Sequence, residues 1–507
     1  MLTKQVKIGA VLSYVLIVLN TVYGIFLTPY IVSGLGNVEF GVYKTISSLS
    51  ASLLILDLGI GGTVTRYIAS YRAKKEEGEI SNFAAMSMIQ ALILCLVLLV
   101  VSILVAFLIK PMYADTFMPE QIEKARLLFV VLAINMMFHV FSNVVYGIIS
   151  GYNRFSFGNA TKLFRIVFRI LLTIILLNAI PDSLVLVSID LFLTILFLIV
   201  DLIYVRKKIG LKIKLVKWDK ALFSESIKYT ALMFVSNVFL QFENNVDNII
   251  IGSMSGPSYV AVYSMGLLIF GMFNNLSCSI SGVMLPTVSN VLEMKNGHSE
   301  VQRLIVKVGR IQFMLLSAVV VGFIFVGRSF IDVWLGEGFS DVYVIVLILM
   351  IPALFELCVN VCLAVLRAKN MLGFRTAILF MTTVLNVVIT ILAVKYWSYI
   401  GAAIGTAFSF LAGSVIVMNI YYSKKLKFPM LSIYKSIFSR IWVCLLISGV
   451  SLFVSTRFFK EGLISLMVNI VVFCIAYGAT LLLYGLSAEE KKAIPFIRKF
   501  VGRRDGI

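Results

Sequence analysis

Of the chain's 507 residues, 60% are hydrophobic and only 14% are charged, with a mean hydropathy of +1.00; soluble domains carry roughly 25% charged residues, so that class is excluded. Apolar runs of around 20 residues recur throughout, long enough to cross hydrocarbon as helix, and none shows the strict alternation of an outer-membrane barrel. The net charge of +19 does not point to nucleic acid, because Lys and Arg gather in every second break between the runs, as in a polytopic helical membrane protein.

Fourteen spans are predicted, at 8–32, 41–62, 82–109, 126–149, 162–180, 183–205, 224–251, 259–285, 305–328, 341–366, 374–396, 399–423, 438–456 and 462–485. The first lacks a small-residue cleavage site, so it is expected to stay as a span. Even parity puts both termini on one side. The basic segments make that side cytoplasmic: Lys4 and Lys7, Arg66 to Lys75, Arg154 to Arg165, the dense run from Arg206 to Lys228, and the tail from Lys491 to Arg504.

Between the second and third spans, LILDLGIGGTVTRYIASYR (54–72) sets Asp57 in an apolar run and breaks at Gly59, Gly61 and Gly62 before Arg66. The glycines do not form a nucleotide loop, since Val64 stands where the third fingerprint glycine belongs. The fifth span opens TKLFRIVFRILL, with Lys162, Arg165 and Arg169 on one helical face. Arg169 lies about 10 Å deeper than Lys162 at 1.5 Å per residue. Snorkelling to lipid phosphates suits Lys162 and Arg165, whereas the depth of Arg169 favours a water-filled cavity. Asp190, in the sixth span, has no obvious partner in sequence. The seventh span carries Asn237, Gln241, Glu243, Asn244, Asp247 and Asn248 on a polar stripe that a lipid-facing helix could not bear. Lys44 and Glu356 are further ionisable groups within spans. Lys44 and Asp247 sit about one turn inside the outer ends of their spans, so two readings stand: an outer gate between them, with Glu243 as alternate partner, or separate local roles. The six cysteines all fall in apolar runs without metal spacing. Neither a catalytic constellation nor a Walker loop is present.

The basic break 206–220 follows six spans, and six more reach Tyr422. A shift of 220 pairs Ser33 with Ser253, Gly36 with Gly256 and Val42-Tyr43 with Val262-Tyr263. A shift of 217 pairs Asn153 with Asn370, Phe157 with Phe374, Thr173-Ile174 with Thr390-Ile391, Ile203-Tyr204 with Ile420-Tyr421 and Lys207-Lys208 with Lys424-Lys425. The expected organisation is therefore a parallel repeat: a first lobe at 1–205, a basic linker at 206–223, a second lobe at 224–423, an extra helix pair at 424–485 and a basic tail at 486–507.

IVSGLGNVEFGVYKTISSLSASLLILDLGIGGTVTRYIA (31–69), NNVDNIIIGSMSG (244–256) and the paired loops SGYNRFSFGN (150–159) and RAKNMLGFRT (367–376) together resemble the polysaccharide-export branch of the multidrug/oligosaccharidyl-lipid/polysaccharide exporter superfamily. The resemblance covers about residues 1–485. It implies an all-α membrane fold of two six-helix lobes around a V-shaped central cavity plus two C-terminal helices. The implied activity is a non-enzymatic flippase that passes an undecaprenyl-diphosphate-linked glycan unit from the inner to the outer leaflet of the bacterial cytoplasmic membrane by alternating access. A lipid II flippase and a drug/cation antiporter of the same superfamily are the alternatives. Arg165, Arg169, Arg66 and Lys44 become candidates for the diphosphate and cavity, and Asp247, Glu243, Glu356 and Asp57 for ion coupling or gating. Asp57 has two readings, a cap or a pairing near the cytoplasmic mouth. No cofactor beyond a coupling proton or Na+ is implied. Implied partners are the lipid-linked glycan, membrane lipids, a polysaccharide polymerase and a chain-length regulator, with no nucleic acid.

Overall fold

The structure, a computed structural model, describes residues 4–53, 59–281, 284–336, 338–369, 371–459, 462–487 and 490–491, for some of them, including 4–11 and 231–244, by backbone alone. Helices account for nearly all of it, and no strand occurs among the described residues. Nine helices among these residues are long and apolar enough to cross a membrane, or ten if a pair bent by 50° counts as one. Reaching the predicted fourteen requires dividing two kinked helices and admitting two more: one bears the basic stripe, and the other is described in part.

The chain groups into two compact units, Met1–Ser264 with Thr390–Ala402, and Met265–Ile389 with Ala403–Ile507. In the first unit, α1 (Lys4–Leu53) is broken at Gly36, whose φ of 77° is open to a residue without Cβ. A glycine break thus replaces the loop expected between spans one and two. Next come α2 (Ile60–Lys74), α3 (Glu77–Tyr113), α4 (Pro119–Gly151), α5 (Phe155–Ala179), α6 (Ser183–Tyr204) and α7 (Lys220–Met254). Ile60, Val64 and Ile68 of α2 are buried against Val144, Ile148 and other apolar residues of α3 and α4. Small residues let the α2 and α4 backbones meet: a Cβ on Gly147 would lie 2.7 Å from the Gly61 carbonyl oxygen. The glycine stretch at the start of α2 is therefore a packing surface. Just past the Gly36 break in α1, a Cβ on Gly41 would lie 1.8 Å from the carbonyl oxygen of Pro257.

Between α6 and α7 the basic segment lies along the start of α3. The Asn82 carboxamide oxygen accepts from the backbone N–H groups of Val216 (2.9 Å) and Lys217 (3.0 Å), and the Ser81 hydroxyl donates to the Lys212 carbonyl. Leu211 is buried with the α2–α4 core. Asp219 then caps α7, accepting from Ala221 and Leu222. Within α7, Ser226 donates to Gln90, and Thr230 contacts Thr63 (3.0 Å) and accepts from Gln90. These buried polar links hold α7 to α2 and α3.

The second unit contains most of α8 (Pro257–Ser281), then α9 (Met284–Leu292), α10 (Gly297–Leu335), α11 (Val342–Cys358), α12 (Val361–Ala368) and the two ends of α13 (Leu372–Ser409), whose middle, Thr390–Ala402 with its break at Ser398, belongs to the first unit. It closes with α14 (Met418–Lys425), α15 (Met430–Phe438), α16 (Ile441–Phe458) and α17 (Leu463–Thr480). The α11–α12 pair, one span in the prediction, is the one bent by 50°. Arg310 of α10 is the polar centre of this unit. It pairs with Glu490 through two nitrogens (2.8 and 3.2 Å) and donates to the carbonyls of Ser436, Ser439 and Gly485. The pair is only 11% and 12% exposed. Burial raises the Glu490 pKa, but hydrogen bonds from Arg310 and Ser487, with the charge of Arg310, outweigh this and hold it below the ordinary carboxylate value.

Both copies of the repeat carry matching contacts. Phe157 stacks on Tyr204 with centroids 3.5 Å apart, and 217 residues later Phe374 stacks on Tyr421 at 4.1 Å. Gly36 and Gly256 both have positive φ. Glu39 and Asp182 are joined by Lys124 (2.7 and 3.0 Å); at the equivalent positions Tyr259 and Tyr399 stack at 5.2 Å. The contact recurs while its chemistry changes from ionic to aromatic.

Candidate functional site

The turn at 180–182 folds α6 back along α5, and the basic stripe faces polar groups of α6 at matching depth. Arg169 Nη2 lies 2.6 Å from Asp190 Oδ2, and its guanidinium stands 5.2 Å from the Tyr23 ring centroid. Arg165 donates to the Thr194 hydroxyl at 2.6 Å, and Thr194 donates to the Asp190 carbonyl at 2.7 Å. Lys162 lies over the Tyr146 ring, 3.7 Å from its centroid. Each cation of the stripe thus has a different partner: a ring, a hydroxyl and a carboxylate. Asp201 is buried on α6, with Oδ1 unbonded among the described residues and within electrostatic reach of Lys162 and Arg165.

Lys44 lies 5.4 and 6.0 Å from the centroids of Phe40 and Tyr43, and no ion pair joins it to any carboxylate among the described residues. It is within electrostatic reach of Arg169. Lys44, Arg165 and Arg169 are therefore three cations of one neighbourhood, and Asp190 opposes them. In the second copy the positions of Lys162, Arg165 and Arg169 are Leu379, Thr382 and Asn386. Asn386 donates to Thr406 at 2.8 Å, a neutral contact. At these three positions charge is confined to the first copy.

Asp247 is buried and accepts from Tyr263 (2.6 Å) and Thr390 (3.4 Å), while Asn248 donates to Ser48 at 2.9 Å. Of the two readings for Lys44 and Asp247, the local contacts are the ones seen here, with no Lys44–Asp247 ion pair among the described residues. Glu356 sits 4.0 Å from Arg375, within the second unit. Arg66 is exposed beside Tyr67, which donates to Glu225 at 2.8 Å. Asp57 and the Glu243 side chain lie outside the described residues. Asp190 is the site residue whose partner the sequence did not supply. A signal existed: Arg169 and Asp190 are nearly equidistant from the turn joining their antiparallel helices.

A family model described as "Polysaccharide biosynthesis protein" matches residues 8–292. The probable flippase AglR of Haloferax volcanii is 27% identical over 179 residues, 34% of this chain and 37% of that relative. The match thus spans little more than a third of the relative's length. Among solved structures, the lipid II flippase MurJ in an inward closed conformation superposes with a TM-score of 0.69 at 15% identity, over 93% of this chain and 97% of that one. An inward-facing multidrug resistance MATE family transporter of the MOP superfamily gives 0.67 at 17% identity, over 83% and 95%. At these identities the two structures speak for the fold, an all-helical transporter fold, and the family match covers more than half of the sequence. The chain belongs to the polysaccharide biosynthesis protein family of membrane proteins.

Proposed function

We propose that this protein is a flippase moving an undecaprenyl-diphosphate-linked oligosaccharide unit from the inner to the outer leaflet of the cytoplasmic membrane by alternating access. The observation that carries the reading is the charge around α5 and α6: Lys44, Lys162, Arg165 and Arg169 stand against two carboxylates, Asp190 and Asp201, within the predicted spans. Cations at such depth are costly and mark substrate paths. An excess of two positive charges matches the two negative charges of a diphosphate diester, and guanidinium binds phosphate oxygens with directional hydrogen bonds. A cationic drug would meet repulsion at this site. A lipid II flippase would need the same head-group chemistry and is the second reading. In this proposal the lobes are 1–205 and 224–423, the termini are cytoplasmic, Arg66 stands near the entry, and Asp247, Glu356, Glu243 and Asp57 are candidates for proton or Na+ coupling.

Arg169→Ala is expected to abolish glycan export in a strain lacking other flippases while the protein still inserts, with Arg169→Lys restoring part. Full export by Arg169→Ala would remove the assignment. Rescue of a peptidoglycan-flippase deletion, without rescue of a polysaccharide mutant, would instead favour lipid II.

A further inference from the structure

We propose that Asp190 is a built-in competitor of the substrate: its carboxylate holds the place on Arg169 that a phosphate oxygen takes as the head group enters, and it must leave for the head group to bind. This rests on the diphosphate reading above and adds a residue that opposes binding.

Two ion pairs of the chain show the contrast. Arg310 and Glu490 meet through two guanidinium nitrogens, Arg310 further donates to three backbone carbonyls, and the pair is 11% and 12% exposed. That is a sealed structural contact. Arg169 meets Asp190 through one nitrogen, makes no other hydrogen bond among the described residues, and the two are 30% and 18% exposed. Its remaining donors are open to a second acceptor, and carboxylate and phosphate oxygens are equivalent partners for a guanidinium.

A displaced carboxylate inside a membrane needs a new cation. Arg165 supplies one: it is within electrostatic reach of Asp190 and is otherwise bonded to the neutral Thr194 hydroxyl. Thr194 already ties the Asp190 backbone to this group. A swing from Arg169 towards Arg165 therefore leaves no stranded charge. The second copy has Asn386 and Ala407 at these positions, with Asn386 donating to the neutral Thr406 hydroxyl, and carries neither the cation nor the competitor. The return of Asp190 to Arg169 would help to expel the head group, so binding stays weak enough for turnover.

The test uses the purified full chain in lipid nanodiscs, titrated calorimetrically with inorganic pyrophosphate and with sulfate as control. Asp190→Asn is expected to bind pyrophosphate about tenfold more tightly than the parent, a change of ~1.4 kcal/mol, and to export glycan more slowly. Arg169→Ala combined with Asp190→Asn is expected to bind no better than Arg169→Ala alone. Unchanged affinity in Asp190→Asn, with Arg169-dependent binding by the parent, overturns the competitor role and leaves the diphosphate reading standing. Pyrophosphate binding by neither parent nor variant overturns both. If Asp190→Asn is not monodisperse, infrared difference spectra of the parent decide. A carboxylate band that shifts on adding pyrophosphate supports the exchange, and its absence overturns it.

Discussion

Gly41 leaves no room for a methyl group, because the Cβ would enter the Pro257 carbonyl at 1.8 Å, a backbone atom that cannot step aside. Gly41→Ala is expected to reduce the yield of monodisperse protein sharply. Gly62→Ala, which meets nothing within 4 Å, is expected to leave stability unchanged or raise it by up to ~1 kcal/mol through helix propensity. Fluorescence-detected gel filtration across a temperature series separates the two, and equal behaviour would contradict the close approach. At this scale the sequence was informative where depth alone decides. The spacing of Lys162, Arg165 and Arg169 placed them on one face, and they are so placed. It was silent where a partner comes from another helix: Asp190 had no obvious partner and Lys44 and Asp247 had two readings, while in the structure Asp190 meets Arg169, Lys44 lies beside the Phe40 and Tyr43 rings, and Asp247 accepts from Tyr263 and Thr390.

Helix α10 shows how an element can be fixed by one side chain. Arg310 satisfies acceptors from α15 and the residue after it, from the end of the last span and from the chain beyond it. Arg310→Ala leaves Glu490 and three carbonyls without this donor, and an expected cost of about 3–5 kcal/mol follows from breaking a buried pair. Thermal unfolding of the variant in detergent checks it; a midpoint within error of the parent would refute the estimate. The Glu490 pKa is depressed in the folded state, so its stabilising contribution is complete above its ordinary value near 4.5 and fades as pH falls through the lower folded value. Acid titration should therefore lower the parent's unfolding temperature below about pH 4.5 by more than that of Glu490→Gln. Most predicted span ends fall within about two turns of the helix ends, but the continuity of the helices was not legible. A single residue at Gly36 or Ser398 redirects the chain without a loop, and hydropathy cannot see a break that keeps the helix apolar on both sides.

For the molecule as a whole, the repeat was the most legible feature. Its offsets, read from weak identities, return as two ring stacks and two positive-φ glycines. The proposed orientation has a direct check: Lys214→Cys, on an exposed stretch of the segment between α6 and α7, should resist a membrane-impermeant thiol reagent in intact cells and react after lysis. Labelling of intact cells would invert the topology. That same segment constrains the order of assembly during synthesis. The partners named for it, Ser81, Asn82 and the core around Leu211, all belong to chain made earlier or to the segment itself. These contacts can form before α7 has left the ribosome, and chain made first generally folds first. The Asp219 cap is then waiting when α7 begins, and Gln90, Thr63 and Tyr67 are already placed for its first turns. A chain truncated just past residue 220 and released into membrane should thus already protect this segment from protease.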